Sequence, residues 1–288
     1  MKPILEKINL DATQSFYVNS SEEPAFFFPL HYHPELEFIY IMKSHGTRIV
    51  GNSVNNFEEG DLVLVGSNIP HVWKNDKEFY NSESKTGAQS MVIQFDPDFM
   101  GDRFFQLPEM SRIRKMFSLA RRGISFTGKS RDMLIERMHK IYSLHGQERI
   151  VEFINFLHAA SVAKDTEVLS TLEYTISGGN EDCEKINKIY EYLFKNYLHE
   201  VDFNKIADIV NMSLPSLCRY FKKHTFKTIT DILNEIRVRH ACKLLSSNKA
   251  NAKEACYMAG FNNYSHFNKQ FRKVTGITPL HYQKKYNA

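Results

Sequence analysis

Three histidines and a glutamate are the first groups able to do chemistry: His31 and His33 in the run HYHPELE, Glu37 at its end, and a single His71 after Pro70. In a strand, residues two apart point to one face, so His31 and His33 lie side by side and an adjacent strand can bring His71 to them. Three imidazoles and a carboxylate suit a divalent Mn, Fe, Ni or Zn ion. The same four residues, with Arg48 and Trp73, could instead line a small-molecule pocket, and a sugar would stack on Trp73 and bond to the polar groups. A third reading leaves them as hydrogen-bonding wall residues of a structural barrel. No cofactor is demanded; if one is bound, it is a divalent metal on His31, His33, Glu37 and His71.

A second set is basic. Phe203, Ile206, Ala207 and Val210 recur at helical spacing behind Asp202, which can cap that helix. Asn211-Met212 then makes a turn, Ser213 is a good N-cap, and Pro215 lies in the first turn of a second helix, where its missing N–H costs least. Leu217, Tyr220 and Phe221 face inward, leaving Ser216, Cys218, Arg219, Lys222 and Lys223 outside. The construction returns about 50 residues on: Ala255, Met258 and Ala259 repeat the stripe, Gly260-Phe261-Asn262 forms the turn, Asn263 takes the capping place, and Phe267 and Phe271 face inward. Tyr264, Ser265, His266, Asn268, Lys269, Arg272 and Lys273 are left exposed. Ile229, Ile232, Leu233, Ile236, Ala241, Leu244 and Leu245 describe a long amphipathic helix between the units.

Two capped, basic helix-turn-helix units on one spacer suit duplex DNA, whose major groove admits a helix N-terminus. Arg219 could take a guanine and Asn268 an adenine, while Lys222, Lys223, Arg272 and Lys273 are better placed for phosphates. Charge agrees: from residue 183 onward there are 18 Lys and Arg against 8 Asp and Glu, a net of +10, while the remainder carries −6.

The elements that position these groups change character along the chain. Residues 26–96 read as short strands, among them Leu36 to Met42, Thr47 to Gly51, DLVLVG and SMVIQF, as in a small barrel or jelly roll. After Pro97 the period becomes helical. Ile113, Met116, Phe117 and Ala120 form one face, and Met133, Leu134, Met138, Ile141 and Tyr142 a second. Ile150, Phe153, Ile154, Leu157 and Ala160 form a third, able to pack on the barrel or on a second copy. Residues 164–182 lose the period and end in SGGNED, a linker signature.

Composition bounds the rest. In 288 residues, 42% hydrophobic and 24% charged residues describe a soluble globular protein and exclude collagen, mucin and disorder. The longest apolar runs, such as Leu62 to Val65, are far too short to span a bilayer. Glu6 and Asp11 interrupt any secretory signal, so a cytoplasmic location is expected. Cys183, Cys218, Cys242 and Cys256 match neither a zinc ribbon nor a CxxC pair and read as reduced, partly buried thiols. No Walker loop, Rossmann fingerprint, GxSxG elbow or HExxH helix is present, so the chain is not expected to be an enzyme.

The stretches VDFNKIADIVNMSLPSLCRYFKKHT, LNEIRVRHACKLL and AGFNNYSHFNKQFRKVTGITPLHY resemble the AraC/XylS transcription regulators over residues 185–286. The resemblance implies seven helices, two helix-turn-helix units and sequence-specific promoter binding. Phe226 stands where the family usually has Gly, so the end of the first reading helix is expected to lack a left-handed cap. Asn251-Ala252 replaces the usual β-branched entry to the second unit. The HxH, Glu and distant His pattern resembles the cupin barrel, whose metal enzymes use those four side chains and which many such regulators keep as a metal-free effector sensor. Gly66-Ser67-Asn68 departs from the usual Pro-x-Gly.

The expected fold is therefore α+β and multidomain: a cupin-like β-barrel (1–100), a helical dimerisation region (101–163), a linker (164–182) and an all-α domain with two helix-turn-helix motifs (183–288). The expected protein is a ligand-sensing transcription regulator, an activator by resemblance. Its partners are double-stranded DNA, a small-molecule effector, RNA polymerase and a second copy of itself, with no membrane. The alternative is a metal-dependent cupin enzyme with an appended DNA-binding module.

Overall fold

Short β-branched runs between turns build the N-terminal part of the computed structural model, which describes residues 14–80, 87–170 and 180–286. Glu6, Asp11, linker residues 171–179 and the Cys183 side chain lie outside the described residues. The chain divides into two units between residues 179 and 180.

In the first unit, β1 (Tyr17–Glu23), β2 (Leu36–Lys43), β3 (Gly46–Val50), β4 (Ser53–Phe57), β5 (Leu62–Val65), β6 (His71–Asn75) and β7 (Ala88–Phe95) are followed by α1 (Ser111–Ala120), β8 (Ile124–Phe126), α2 (Gly128–Ser143), α3 (Gly146–Ser161) and β9 (Thr166–Val168). The strands form a six-stranded sheet, β1-β7-β2-β5-β8-β9, and a three-stranded sheet, β4-β3-β6. An isolated bridge joins His31, just ahead of β2, to His71 at the start of β6.

Three features depart from the sequence reading. β8 lies inside the segment expected to be helical and β9 inside the expected linker; each has three residues and extends the large sheet. Strands this short give no alternation to detect. β1 is half-exposed and polar, YVNSSEE, and was not anticipated. The helices are also not a region apart. Phe16, Phe38 and Phe95 share one core with Ile113, Leu134, Met138, Phe153, Phe156 and Leu157, and Phe38 meets Phe156 edge-on at 4.7 Å. The stripe of α3 is thus spent on the barrel and not on a second copy, while Met133 and Tyr142, read as core-facing, are exposed together with Val151.

The second unit contains α4 (Asn180–Asn196), α5 (Phe203–Ile209), α6 (Leu214–Thr225), α7 (Ile229–Ser246), α8 (Ala252–Met258), α9 (Tyr264–Thr275) and α10 (Pro279–Tyr286). The apolar stripe read for α7 is buried at each named position. Asn251 caps α8 in a capping box with Glu254, and Ala252 joins the buried core, so the unusual entry to the second unit is well accommodated.

Candidate functional site

His31, His33, Glu37 and His71 converge: one ligand atom from each lies within 4.8 Å of the others. His33, Glu37 and His71 are buried and His31 is partly accessible. Backbone carbonyls orient all three rings, with Nδ1 of His31 3.0 Å from Pro29 O, Nδ1 of His33 3.1 Å from Glu35 O, and Nδ1 of His71 2.8 Å from Ile69 O. A carbonyl only accepts, so each Nδ1 carries the proton and each Nε2 is the atom left for the cluster. Glu37 Oε2 lies 2.7 Å from His33 Nε2 and 3.2 Å from His71 Nε2, and accepts from Gln94 Nε2 at 3.3 Å.

Electrostatics reinforce this geometry. Burial, helped by neighbouring His71, pushes His31 down to about 3, so its ring is neutral at physiological pH. Burial opposes ionisation of Glu37, but the facing imidazoles of His33 and His71 outweigh it and hold the carboxyl well below the usual carboxylate range. An anionic carboxylate facing Nε2 atoms whose rings are already anchored through Nδ1 requires positive charge between them, as protons or as a cation. The three-nitrogen, one-oxygen donor set fits the divalent ions expected from the sequence.

The other two expected pocket residues form a neighbouring group. Arg48 and Trp73 face each other across β3 and β6. Trp73 Nε1 donates to Asp61 Oδ2 at 3.1 Å, and the Arg48 guanidinium pairs with Asp61. Trp73 is packed with Val50, Val63 and Ile69 and is 5% exposed, so it is not an open platform for a sugar. Buried Arg48 Nε has no hydrogen-bond partner among the described residues. Asp61 and Gln94 were missed. Asp61 reads as part of a Gly-Asp turn, and Gln94 lies 57 positions from Glu37 with no local pattern to mark it.

The helical unit presents the second site. On α6, Leu217 and Phe221 are buried, Ser213, Pro215, Cys218, Arg219, Lys222 and Lys223 are exposed, and Ser216 is half-buried. On α9, Phe267 and Phe271 are buried, Asn263, Ser265, His266, Lys269, Arg272 and Lys273 are exposed, and Tyr264 and Asn268 are half-buried. Asp202 caps α5 as expected, and Asn263 accepts from His266 N at 2.8 Å.

Ser213 occupies the N-cap of α6, but its hydroxyl donates to Ser216 Oγ at 2.9 Å and does not cap. A cap bonds the second or third helical N–H, and Pro215 removes the second. Asn268 Nδ2 donates to Tyr264 O at 3.1 Å, and Lys273 pairs with Asp231 at 2.9 Å, so both are partly engaged within the protein. Phe226 does adopt the left-handed cap, with φ 58°, as Gly276 does at the end of α9 with φ 79°. Its N–H closes on Lys222 O at 2.9 Å, and half of the side chain stays in water. Cys218, Cys242 and Cys256 are free thiols, and burial pushes Cys242 up to about 11.

Comparison with known proteins agrees with this division. Residues 17–79 match the family described as a cupin domain, and residues 206–285 match a helix-turn-helix domain. The HTH-type transcriptional regulator YdeC of Bacillus subtilis is 24% identical over 264 residues, 90% of this chain and 87% of its own. The HTH-type transcriptional activator RhaS of Enterobacter sp. is 28% identical over 104 residues, 36% of this chain and 37% of its own. The crystal structure of a probable AraC family transcriptional regulator from Rhodopseudomonas palustris aligns with 35% of this chain and 96% of its own, at 19% identity and a TM-score of 0.34. Cupin and helix-turn-helix domains on one chain define a transcription regulator. This chain carries a cupin domain and an AraC-type helix-turn-helix domain.

Proposed function

We propose that this regulator reads duplex DNA with α6 and α9 in successive major-groove segments. Ser216, Cys218 and Arg219 of the first unit, and Tyr264, Ser265, His266, Asn268 and Lys269 of the second, face base edges. Ser213, Pro215 and Asn263 sit at the helix starts, while Lys222, Lys223, Arg272 and Lys273 face phosphates. The observation that carries this reading is the doubled amphipathic helix, with Leu217 and Phe221 or Phe267 and Phe271 on its buried side and basic residues on its exposed side. The test is selection of duplexes from a random-sequence pool by the full chain at physiological salt. A recurring bipartite sequence is expected; uniform recovery refutes the reading.

The barrel, on this proposal, is the sensor. A divalent ion held by His31, His33, Glu37 and His71 would neutralise Glu37 and offer a Lewis-acidic anchor to a small polar effector, with Arg48 nearby; the converging, carbonyl-anchored rings support it. Elemental analysis and a Co(II) absorbance titration should give about one ion per chain, lost in His33→Ala. Protein that takes up no ion refutes this part. The barrel has no catalytic role on this reading. Turnover of a substrate that His33→Ala abolishes while DNA binding survives would favour the enzyme.

The finer assignments are also proposals: a cytoplasmic homodimer that activates transcription through RNA polymerase. Exposed Met133, Tyr142 and Val151 on α2 and α3 support the dimer. Among the described residues no helix is long and apolar enough to cross a membrane.

A further inference from the structure

Two helices that read successive grooves of one duplex must be held at a fixed separation and phase. B-DNA repeats about every 10.5 base pairs, so one inserted pair displaces the second reading site by about 3.4 Å and turns it by about 34°. Besides the packing of α7 on both readers, the second unit of this protein contains a contact that ties the two halves together. On one side, α4 buries Ile186, Ile189, Tyr190 and Leu193, and Tyr190 meets Phe221 of α6 with ring centroids 5.8 Å apart, so α4 is joined to the first reading helix. On the other side, α7 makes the largest share of the packing with α8, α9 and α10.

Arg237, on α7, bridges them. Its Nε donates to Tyr197 O at 2.7 Å and an Nη donates to His199 O at 2.8 Å, both just past the C-terminus of α4, where carbonyls lack helical partners and the dipole is negative. The same guanidinium lies 5.7 Å from the centroid of Phe261, in the turn leading into α9. Beside it Gly260, at φ 86°, lets the backbone close in: a Cβ there would stand 2.5 Å from Tyr197 O. Tyr197 also stacks edge-on against His240 of α7 at 5.5 Å. The corresponding turn of the first unit has Met212 where Phe261 stands, so it offers no aromatic ring to a guanidinium.

We propose that Arg237, by joining the end of α4 to the turn before α9, sets the spacing at which the two reading helices engage DNA. It is a positioning residue and does not itself contact DNA. This rests on the two-helix reading above. Substitution should loosen the register between the units while leaving each reading surface intact.

The experiment uses the full chain and the bipartite duplex that the wild-type protein selects from a random pool, with a second duplex carrying one extra base pair between the two parts. Wild-type protein is expected to bind the second at least about tenfold more weakly. In Arg237→Ala the affinity for the selected duplex falls, and the difference between the duplexes shrinks below about twofold. Arg237→Lys, able to reach one carbonyl at a time, lies between; it carries the test if the alanine variant fails to melt cooperatively. A folded variant that loses affinity for both duplexes in the same proportion, or keeps the full difference, overturns the proposal. A pool that yields a single short site refutes the two-helix reading, and this inference with it.

Discussion

Replacing Phe226 by alanine and by glycine separates a backbone cost from a packing gain. The residue ends α6 at φ 58° and ψ 7°, in the left-handed region, where an L side chain costs about 1–2 kcal/mol and glycine almost nothing. The ring is 50% exposed, so its burial returns about half that of a core phenylalanine, on the order of 1 kcal/mol. Alanine keeps the backbone cost and loses the packing, so Phe226→Ala should destabilise by about 1 kcal/mol. Glycine loses the packing but relieves the backbone, which leaves Phe226→Gly near the wild type. The diagnostic quantity is the order of the two variants. At an ordinary helical site alanine exceeds glycine by about 0.5–1 kcal/mol; here glycine should exceed alanine by about 1 kcal/mol, or about 4–8 °C in melting temperature for a domain of this size. Gly276→Ala is the mirror experiment: with φ 79° and nothing within 4 Å of the added methyl, it should cost about 1 kcal/mol by backbone conformation alone. Urea unfolding followed by far-UV circular dichroism measures all three. An alanine variant at position 226 as stable as the glycine variant would refute the assignment of strain to that cap.

Arg219→Ala should relax sequence preference, with a discrimination loss of about 1–3 kcal/mol at one base pair. Lys222→Ala should weaken selected and random duplexes alike and lower the salt slope by about 0.9; equal behaviour of the two variants on both DNAs would show the contact assignment to be wrong. Asp231 gives a pH signature. Burial raises its carboxyl, but bonds from Thr228 and Lys273 outweigh this and bring it from 3.8 down to about 2. A depressed acid stabilises the fold above its unfolded value and loses that contribution as pH falls through its folded value. Asp231→Asn should therefore be less stable than wild type at neutral pH, with the difference shrinking as the pH falls from about 4 and vanishing only below about 2, as urea midpoints across that range will show.

What the sequence made legible was periodic and local. The apolar positions Leu217, Phe221, Phe267 and Phe271 are core because they recur at helical spacing, and His31, His33 and Glu37 converge because two- and four-residue steps along an extended segment keep one face. What it hid is long-range or has no period. Gln94 reaches Glu37 from a strand paired across the sheet, Asp61 gathers Arg48 and Trp73 from two other strands, and Arg237 finds its partners 38 and 40 positions away. β8 forms on the edge of β5 and β9 on the edge of β8, and tertiary pairing there overrides three-residue preferences. The cap at Phe226 shows the limit of reading by residue type: the glycine that ends α9 has no counterpart at the end of α6, yet the backbone there is left-handed all the same.

The two helix-turn-helix units are similar but not superimposable. Their first helices are capped by Asp202 and Asn251, 49 positions apart, while the N-cap positions of the reading helices, Ser213 and Asn263, are 50 apart. The second turn therefore holds one extra residue, and α9 begins one step later against its supporting helix than α6 does. The side chains presented also differ, Ser-Cys-Arg in one and Tyr-Ser-His-Asn-Lys in the other. On the proposed two-helix reading, a single chain so built has a head and a tail on the double helix. On that reading its site would not be a palindrome within one chain's footprint, and reversing the site on a chromosome would turn the bound protein to face the other way.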